Sequence, residues 1–273
     1  MSRIADILEK ARKEAARTGG ASSGDGQEEL RLQTLEEVDV PWNFQPNHET
    51  GPQAAREPER EEGPTRVEDR VALSADDAAI ARKLFLEGPR HRRILVSAVD
   101  SSHGSDVLAL GLALALGRET QRSVCLIDLN LAGGTLHRLL HTDGSPGLSQ
   151  AVLEGAQPRE CTRQVHSVAT LNFMALGSSP EQLRLALREP AGMTVLRSAL
   201  AAFDLVVAHA APGNMDEAVT LGVCFDGDLL VREADTQPQI TNAAADALRR
   251  ASVPLAGVVV NHAARPGSRN TRG

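Results

Sequence analysis

The sequence predicts an α/β fold: a three-layer, doubly wound, mainly parallel β-sheet that follows a flexible N-terminal extension. From about Ser74 onward, short continuous apolar runs alternate with helical patterns. Runs such as Val124–Ile127 and Leu255–Val260 are typical of strands covered by helices on both faces. This alternation indicates parallel strands joined by crossover helices. The 273 residues are enough for one large domain with additional segments.

The composition divides the chain into four segments. Residues 1–18 place apolar residues at helical spacing beside several basic ones, which predicts an amphipathic helix. Residues 19–72 are rich in Gly, Glu, Pro, Gln and Arg and predict a flexible acidic linker. Residues 73–262 form the predicted α/β domain, and residues 263–273 are expected to be a basic disordered tail.

Within the domain, the apolar pattern predicts a helix over 76–86 followed by alternating elements. Strands are expected at 93–99, 123–128, 170–175, 204–210, 227–232 and 255–260. Helices are expected at 105–117, 134–140, 147–154, 180–187, 191–202, 215–223 and 238–251.

Charge and composition exclude several classes of function. The formal net charge of −7 argues against a nucleic-acid partner, which would select a basic surface. The cysteines Cys125, Cys161 and Cys224 lack the spacing of metal ligands and are expected to be thiols in a reducing compartment. No signal peptide and no apolar run of roughly 18 residues is present, so a soluble cytoplasmic protein is expected.

The segment 99–106 lies where a phosphate-binding loop would lie, between the strand at 93–99 and the helix at 105–117. Such a loop reads Gly-x-x-x-x-Gly-Lys-Ser/Thr, because its backbone N–H groups and lysine hold phosphates and its hydroxyl holds magnesium. Here Gly104 is retained, Ser105 replaces the lysine, and Asp106 replaces the hydroxyl residue. An aspartate there repels a phosphate charge by roughly 4 kcal/mol at 4 Å. It also favours the helix dipole by roughly 0.3–1 kcal/mol, as a built-in substitute for the phosphate.

An ordinary strand–loop–helix that never bound nucleotide explains this loop equally well when the loop is considered alone. Ser101, Ser102 and Ser105 are candidate nucleophiles, but without a partnered His–Asp arrangement they are expected to cap the loop. A zinc site formed by His137, His141, His166 and His209 is disfavoured, because these histidines share neither a helix face nor ligand spacing.

The order of motifs from Ser74 to Asn261 resembles the bacterial tyrosine autokinases of capsule and exopolysaccharide systems. These kinases belong to the deviant P-loop group that includes the division-site and plasmid-partition ATPases. Six short motifs carry the resemblance, in the family's order. They include Leu126-Ile127-Asp128-Leu129-Asn130-Leu131, Pro146-Gly147-Leu148-Ser149, Asp226-Gly227-Asp228-Leu229-Leu230-Val231 and Ala256-Gly257-Val258-Val259-Val260-Asn261. The resemblance therefore implies a P-loop NTPase-like domain.

The departures from this family occur at positions that carry its chemistry. Asp100 occupies the position of the extra lysine of partition-type proteins, and the second aspartate of the acidic motif is Asn130. His209 replaces the metal-organising aspartate at a later strand end, where imidazole is a poor exchange for the oxygen ligands that magnesium prefers. His209 is expected to bond nearby backbone, and Asp128 to be a structural remnant.

These residues together form a candidate degenerate nucleotide site, in which no residue is expected to be catalytic and ATP and magnesium are not expected as cofactors. Its members are Asp100, Ser101, Ser102, His103, Gly104, Ser105, Asp106, Asp128, Asn130 and His209.

Two further departures concern assembly and autophosphorylation. The family phosphorylates a tyrosine-rich tail, but this chain has no tyrosine. The ring-forming helix motif Glu-x-x-Arg-x-x-Arg would fall on Ala79, Arg82 and Phe85, so only Arg82 is kept. Autophosphorylation on tyrosine is therefore excluded for this chain, and a ring of the family's kind is not expected.

The sequence thus predicts a pseudo-enzyme in polysaccharide synthesis or export, held at the inner membrane through a partner. The resemblance implies that the partner is the cytoplasmic part of a chain-length (co-polymerase) membrane protein, a paralogous kinase or a second copy of this chain. Two alternatives remain open. One is a residual nucleotide-binding switch that uses Gly104 and backbone groups; the other is a positioning protein of the division-site and partition type.

Overall fold

The domain is organised around one eight-stranded sheet with the strand order β1-β8-β7-β2-β6-β3-β5-β4. The computed structural model describes residues 37–40, 75–87, 91–100, 104–165 and 168–261. All pairings within these residues are parallel except that of β4 with β5. The strands are β1 (Glu37–Val40), β2 (Arg93–Ala98), β3 (Val124–Leu129), β4 (Arg163–Gln164), β5 (Leu171–Met174), β6 (Leu205–Ala210), β7 (Gly227–Glu233) and β8 (Leu255–Asn261).

Helices connect the strands and cover both faces of the sheet, which confirms the predicted fold class. They are α1 (Ala75–Ala81), α2 (Ser105–Glu119), α3 (Leu136–Leu139), α4 (Leu148–Glu154), α5 (Pro180–Ala186), α6 (Pro190–Ala201), α7 (Met215–Gly222) and α8 (Pro238–Arg250). Helix α1 continues as a π-helical turn over Arg82–Glu87, so the helix predicted at 76–86 is present but changes its hydrogen-bonding pattern midway.

Helix α2 is buried around almost its whole circumference, because it lies between the sheet and α1. Twelve of its fifteen residues are buried, as expected of a helix that is apolar on every side. Helix α1 lies close to α2 at Gly111, where a Cβ would lie 2.5 Å from Asp77 Oδ2. Helices α4, α5, α6, α7 and α8 contribute core residues on the opposite face.

Two strands were not predicted. Strand β1 lies inside the segment predicted to be a linker and pairs with β8, so that β1 forms one edge of the sheet; the rest of residues 19–72 lies outside the described residues. Strand β4 is only two polar residues long and lacks an apolar pattern. The predicted N-terminal helix at 1–18 and basic tail at 263–273 also lie outside the described residues.

Parallel pairing brings the carboxyl ends of β2, β3 and β6 to one edge of the sheet. Asp128 of β3 lies opposite His209 of β6, and Val96 of β2 lies opposite His209 on its other side. The residues that follow these strands therefore meet at the amino end of α2, where sheets of this type bind ligands.

Candidate degenerate nucleotide site

Ser105 and His209 are in direct contact at the amino end of α2. Ser105 Oγ lies 3.1 Å from His209 Nε2, and both residues are buried. Ser105 is the first residue of α2, and His209 lies near the end of β6. This contact corrects two expectations: His209 was predicted to bond backbone, and Ser105 was predicted to cap the loop.

The contact does not form a catalytic triad. A base needs a third group that orients it, and His209 Nδ1 has no hydrogen-bond partner among the described residues. Asp128 lies opposite His209 in the sheet, but among the described residues its carboxylate accepts hydrogen bonds from backbone N–H groups. Burial lowers the pKa of His209 below its ordinary value of 6.5, although the charges of Asp128 and Asp106 act in the opposite direction. The neutral imidazole is therefore favoured.

Asp128 organises the loop that follows β3. Its Oδ1 accepts a hydrogen bond from the backbone N–H of Asn130 at 3.1 Å. Its Oδ2 accepts from the N–H groups of Thr135 at 2.7 Å and Leu136 at 2.9 Å. The carboxylate is fully buried, so these donors replace the water that it has lost. Asp128 therefore holds the backbone of this loop in place.

Asn130 continues the same loop. Its Oδ1 accepts from the N–H of Ala132 at 3.1 Å, and its carbonyl oxygen accepts from the N–H groups of Gly133 and Gly134. Gly134 has a φ of +63°, which favours glycine. A Cβ there would also lie 3.2 Å from Asp128 Oδ2.

The end of the loop between β2 and α2 is described at Gly104, the residue of the loop motif that the sequence retains. Gly104 has a φ of +115° and stands at the N-cap of α2, a conformation that glycine tolerates best. Asp106 lies in the first turn and its Oδ1 accepts from the N–H of Val107 at 2.9 Å. An anion of the chain thus occupies the positive end of the helix dipole. Ser101, Ser102 and His103 lie outside the described residues.

Asp100 connects this loop to the loop that follows β7. Its Oδ2 accepts a hydrogen bond from Thr236 Oγ1 at 2.6 Å, and Thr236 Oγ1 in turn accepts from the backbone N–H of Glu233 at 3.1 Å. Thr236 was not singled out from the sequence. The feature of the sequence that could have indicated Thr236 is its place in the loop after β7, which lies at the same edge of the sheet.

No group of three or more His, Cys, Asp or Glu side chains within the described residues is arranged to hold a metal ion. His166 of the histidine set considered above lies outside these residues. Burial raises the pKa of Cys125, Cys161 and Cys224, which favours the thiol over the reactive thiolate. Within the part of the chain that the structure describes, no helix is both long and apolar enough to cross a membrane.

The comparison with known sequences gives one curated relative. A tyrosine-protein kinase of Acinetobacter johnsonii is 28% identical over 201 residues, which cover 69% of this chain and 27% of that protein. The chain thus spans about a quarter of the length of the curated relative that it matches. No family model matches the sequence.

Solved structures of other proteins resemble the chain in fold. The chimerical protein CapA2B2 superimposes with a TM-score of 0.62 at 15% identity, covering 71% of this chain and 88% of that one. The kinase domain of VpsO gives a TM-score of 0.60 at 18% identity, covering 68% and 94%. The fold is that of the P-loop ATPase-like proteins. The sequence match further confirms the predicted resemblance to bacterial tyrosine kinases.

Proposed function

We propose that this chain is a non-catalytic relative of the bacterial tyrosine kinases that acts in polysaccharide synthesis or export. In this proposal it works in the cytoplasm by binding the cytoplasmic part of a chain-length membrane protein or a competent kinase paralogue. The observation that carries the proposal is the buried Ser105–His209 contact. Ser105 stands where the kinases that the sequence resembles have the phosphate-binding lysine, and in this chain its side chain contacts His209.

The other residues of the site also fit magnesium nucleotide poorly. Magnesium requires several oxygen ligands and keeps much of its water. The carboxylate of Asp128 already accepts three backbone hydrogen bonds, and His209 offers a buried imidazole in place of an oxygen ligand. Asp106 adds a negative charge where a phosphate would need a positive one. These features support a domain that keeps the fold of the kinases but not their magnesium nucleotide chemistry.

The helix that would mediate ring assembly supports the same proposal. Arg82, the retained position of the family's ring-forming motif, makes a bidentate ion pair with Glu119 of its own chain, with both N–O distances at 2.8 Å. Phe85 at a second motif position is only 2% exposed and belongs to the core. Two of the three motif positions are thus used inside the chain, which favours binding to a different partner over the family's self-assembly.

One feature favours a residual nucleotide switch as the second candidate. Gly104 keeps the left-handed conformation at the start of α2, and its carbonyl oxygen accepts the first helical hydrogen bond, from Leu108 at 2.8 Å. A backbone cradle could hold a phosphate through N–H groups alone. Such binding would have to overcome the charge of Asp106, so we place it second.

The experiment has an enzymatic and a binding arm. The full chain is incubated with radiolabelled ATP, magnesium and a tyrosine-containing copolymer, and is separately co-expressed with a tagged chain-length membrane protein from the same genome. We expect no phosphate transfer above a protein-free control and specific co-purification with the membrane protein. Phosphate transfer would contradict the non-catalytic function, and absence of the chain from the purified complex would contradict the proposed partner.

A further inference from the structure

A groove of about 320 Å³ lies between α5 and α7, next to the loop that follows β3, and we propose that it binds a guanidinium group. We call it the α5–α7 groove. Leu131, Leu187 and Leu221 form its apolar part, and Arg184, Asp216 and Glu217 are charged residues of its lining. The groove is separate from the Ser105–His209 contact and does not depend on the function proposed above.

Two carboxylate oxygens of this lining lack a donor. Asp216 Oδ1 and Glu217 Oε2 are buried and have no hydrogen-bond partner among the described residues. Glu217 as a whole is only 9% exposed. A buried carboxylate oxygen without a donor costs free energy, so such atoms call for a partner. The missing partner is a group with several N–H donors and a positive charge.

Arg184 does not supply these donors, because each nitrogen of its guanidinium bonds another acceptor. Its Nε donates to Glu217 Oε1 at 2.8 Å, its Nη2 donates to the carbonyl oxygen of Leu131 at 2.8 Å, and its Nη1 pairs with Glu181 at 3.1 Å. These bonds hold Glu217 in place and fix the wall of the groove. Asn214 Oδ1 caps α7 by accepting from the N–H of Glu217 at 3.3 Å, which fixes the backbone of the same residue.

The chemistry of the lining selects a guanidinium with an aliphatic stem. A planar guanidinium offers five donors in a fork that matches carboxylate geometry. The terminal carboxylate torsion of Asp216 is soft, so a small rotation turns its unpaired oxygen toward a ligand, whereas the Glu217 carboxylate is held by Arg184. The leucine side chains would contact the stem of an arginine or of a related amine. Arg188, an exposed residue of the same lining, is a like charge that opposes binding.

The test uses two guanidinium probes, since the group could belong to an arginine of another protein or to a free metabolite. N-acetyl-arginine amide represents the former and agmatine the latter, and N-acetyl-citrulline amide is the uncharged match. Binding to the full chain is measured by calorimetry and by amide shifts in NMR spectra. We expect a Kd on the order of 1 mM or tighter for at least one guanidinium probe and none for citrulline amide. The probe that binds identifies the source.

Substitutions in the lining test whether the guanidinium probe binds in the α5–α7 groove. Asp216→Asn and Glu217→Gln should each weaken binding at least about tenfold, because each removes one charge-assisted hydrogen bond. Arg188→Ala should tighten binding or leave it unchanged, and Glu160→Gln, which removes an exposed carboxylate elsewhere, should have no effect. Because Glu217→Gln also alters the Arg184 ion pair, Asp216→Asn provides the independent measurement. The proposal is overturned if neither guanidinium probe binds, if citrulline amide binds equally well, or if Asp216→Asn binds like the unmodified chain.

Discussion

Ser105 and His209 are 104 positions apart in the sequence, yet the Oγ of one lies 3.1 Å from the Nε2 of the other inside the domain. The contact joins the start of α2 to the end of β6, the two elements whose ends define a phosphate site in this type of fold. It is an internal contact between two buried side chains.

The Ser105–His209 contact should contribute to stability. Ser105→Ala leaves the buried His209 Nε2 without its partner, so we expect the free energy of unfolding to fall by about 1–3 kcal/mol. His209→Leu and the double variant complete a thermodynamic cycle measured by urea unfolding. A coupling energy of at least about 0.5 kcal/mol is expected. Additive effects of the two substitutions would show that the contact does not stabilise the fold.

His209 should make the chain sensitive to acid. Burial lowers the pKa of His209 in the native state, so between that value and 6.5 the unfolded chain binds the proton more readily. The free energy of unfolding should therefore fall as the pH drops below about 6.5. In His209→Leu this part of the dependence should disappear, and the difference between the two unfolding curves isolates it from the carboxylates. Parallel curves for the two proteins would contradict the assignment.

Asp228 should give the free energy of unfolding a pH dependence opposite to that of His209. This fully buried residue of β7 accepts a hydrogen bond from Ser97 Oγ at 2.6 Å, and burial raises its pKa from 3.8 to about 7. The native chain thus holds a proton that the unfolded chain has lost, so the free energy of unfolding should fall by about 2–4 kcal/mol as the pH rises from about 4 to 7.

Asp228→Asn provides the matched variant, because the amide keeps the shape of the side chain and an acceptor for Ser97 without a charge. The slope between pH 4 and 7 should flatten, and the variant should be more stable than the unmodified chain at pH 8. An unchanged slope would mean that Asp228 is ionised in the folded chain throughout this range.

Asp128 should be a structural residue. Asp128→Ala removes the acceptor of three backbone N–H groups, so we expect a loss of about 2–4 kcal/mol in the free energy of unfolding. Hydrogen exchange should accelerate at Asn130, Thr135 and Leu136. The control Asp106→Ala removes a half-buried carboxylate that, within the described part of the chain, accepts a hydrogen bond from the N–H of Val107 alone, and it should cost less than about 1 kcal/mol. Equal losses in the two variants would contradict the role assigned to Asp128.

Much of the fold could be predicted from the sequence because its strands are continuous apolar runs buried on both faces. Predicted strands such as 204–210 and 227–232 lie within a residue of β6 and β7. The misses have physical causes. Strand β4 consists of Arg163 and Gln164, whose polarity hides a strand at the sheet edge.

The candidate site was only partly predictable. The order of parallel strands brings Asp128 and His209 to the same sheet edge, and the sequence placed both of them there. The Ser105–His209 contact depends on side-chain orientation across two elements, which no local pattern encodes. Asp228 was identified only as part of a motif that carries the family resemblance, and the α5–α7 groove arises from residues on three separate elements. Such features depend on tertiary packing, to which sequence periodicity is insensitive.

The central claim is that the position of the nucleotide phosphates is closed by the chain's own side chains. It is tested most directly by calorimetric titration of the full chain with ATP and with ADP, each with and without magnesium. The triple variant Ser105→Lys, Asp106→Ser and His209→Asp, which restores the family's residues, serves as the comparison. We predict no heat of binding for the unmodified chain up to millimolar nucleotide. Micromolar, magnesium-dependent binding by the unmodified chain would contradict the account.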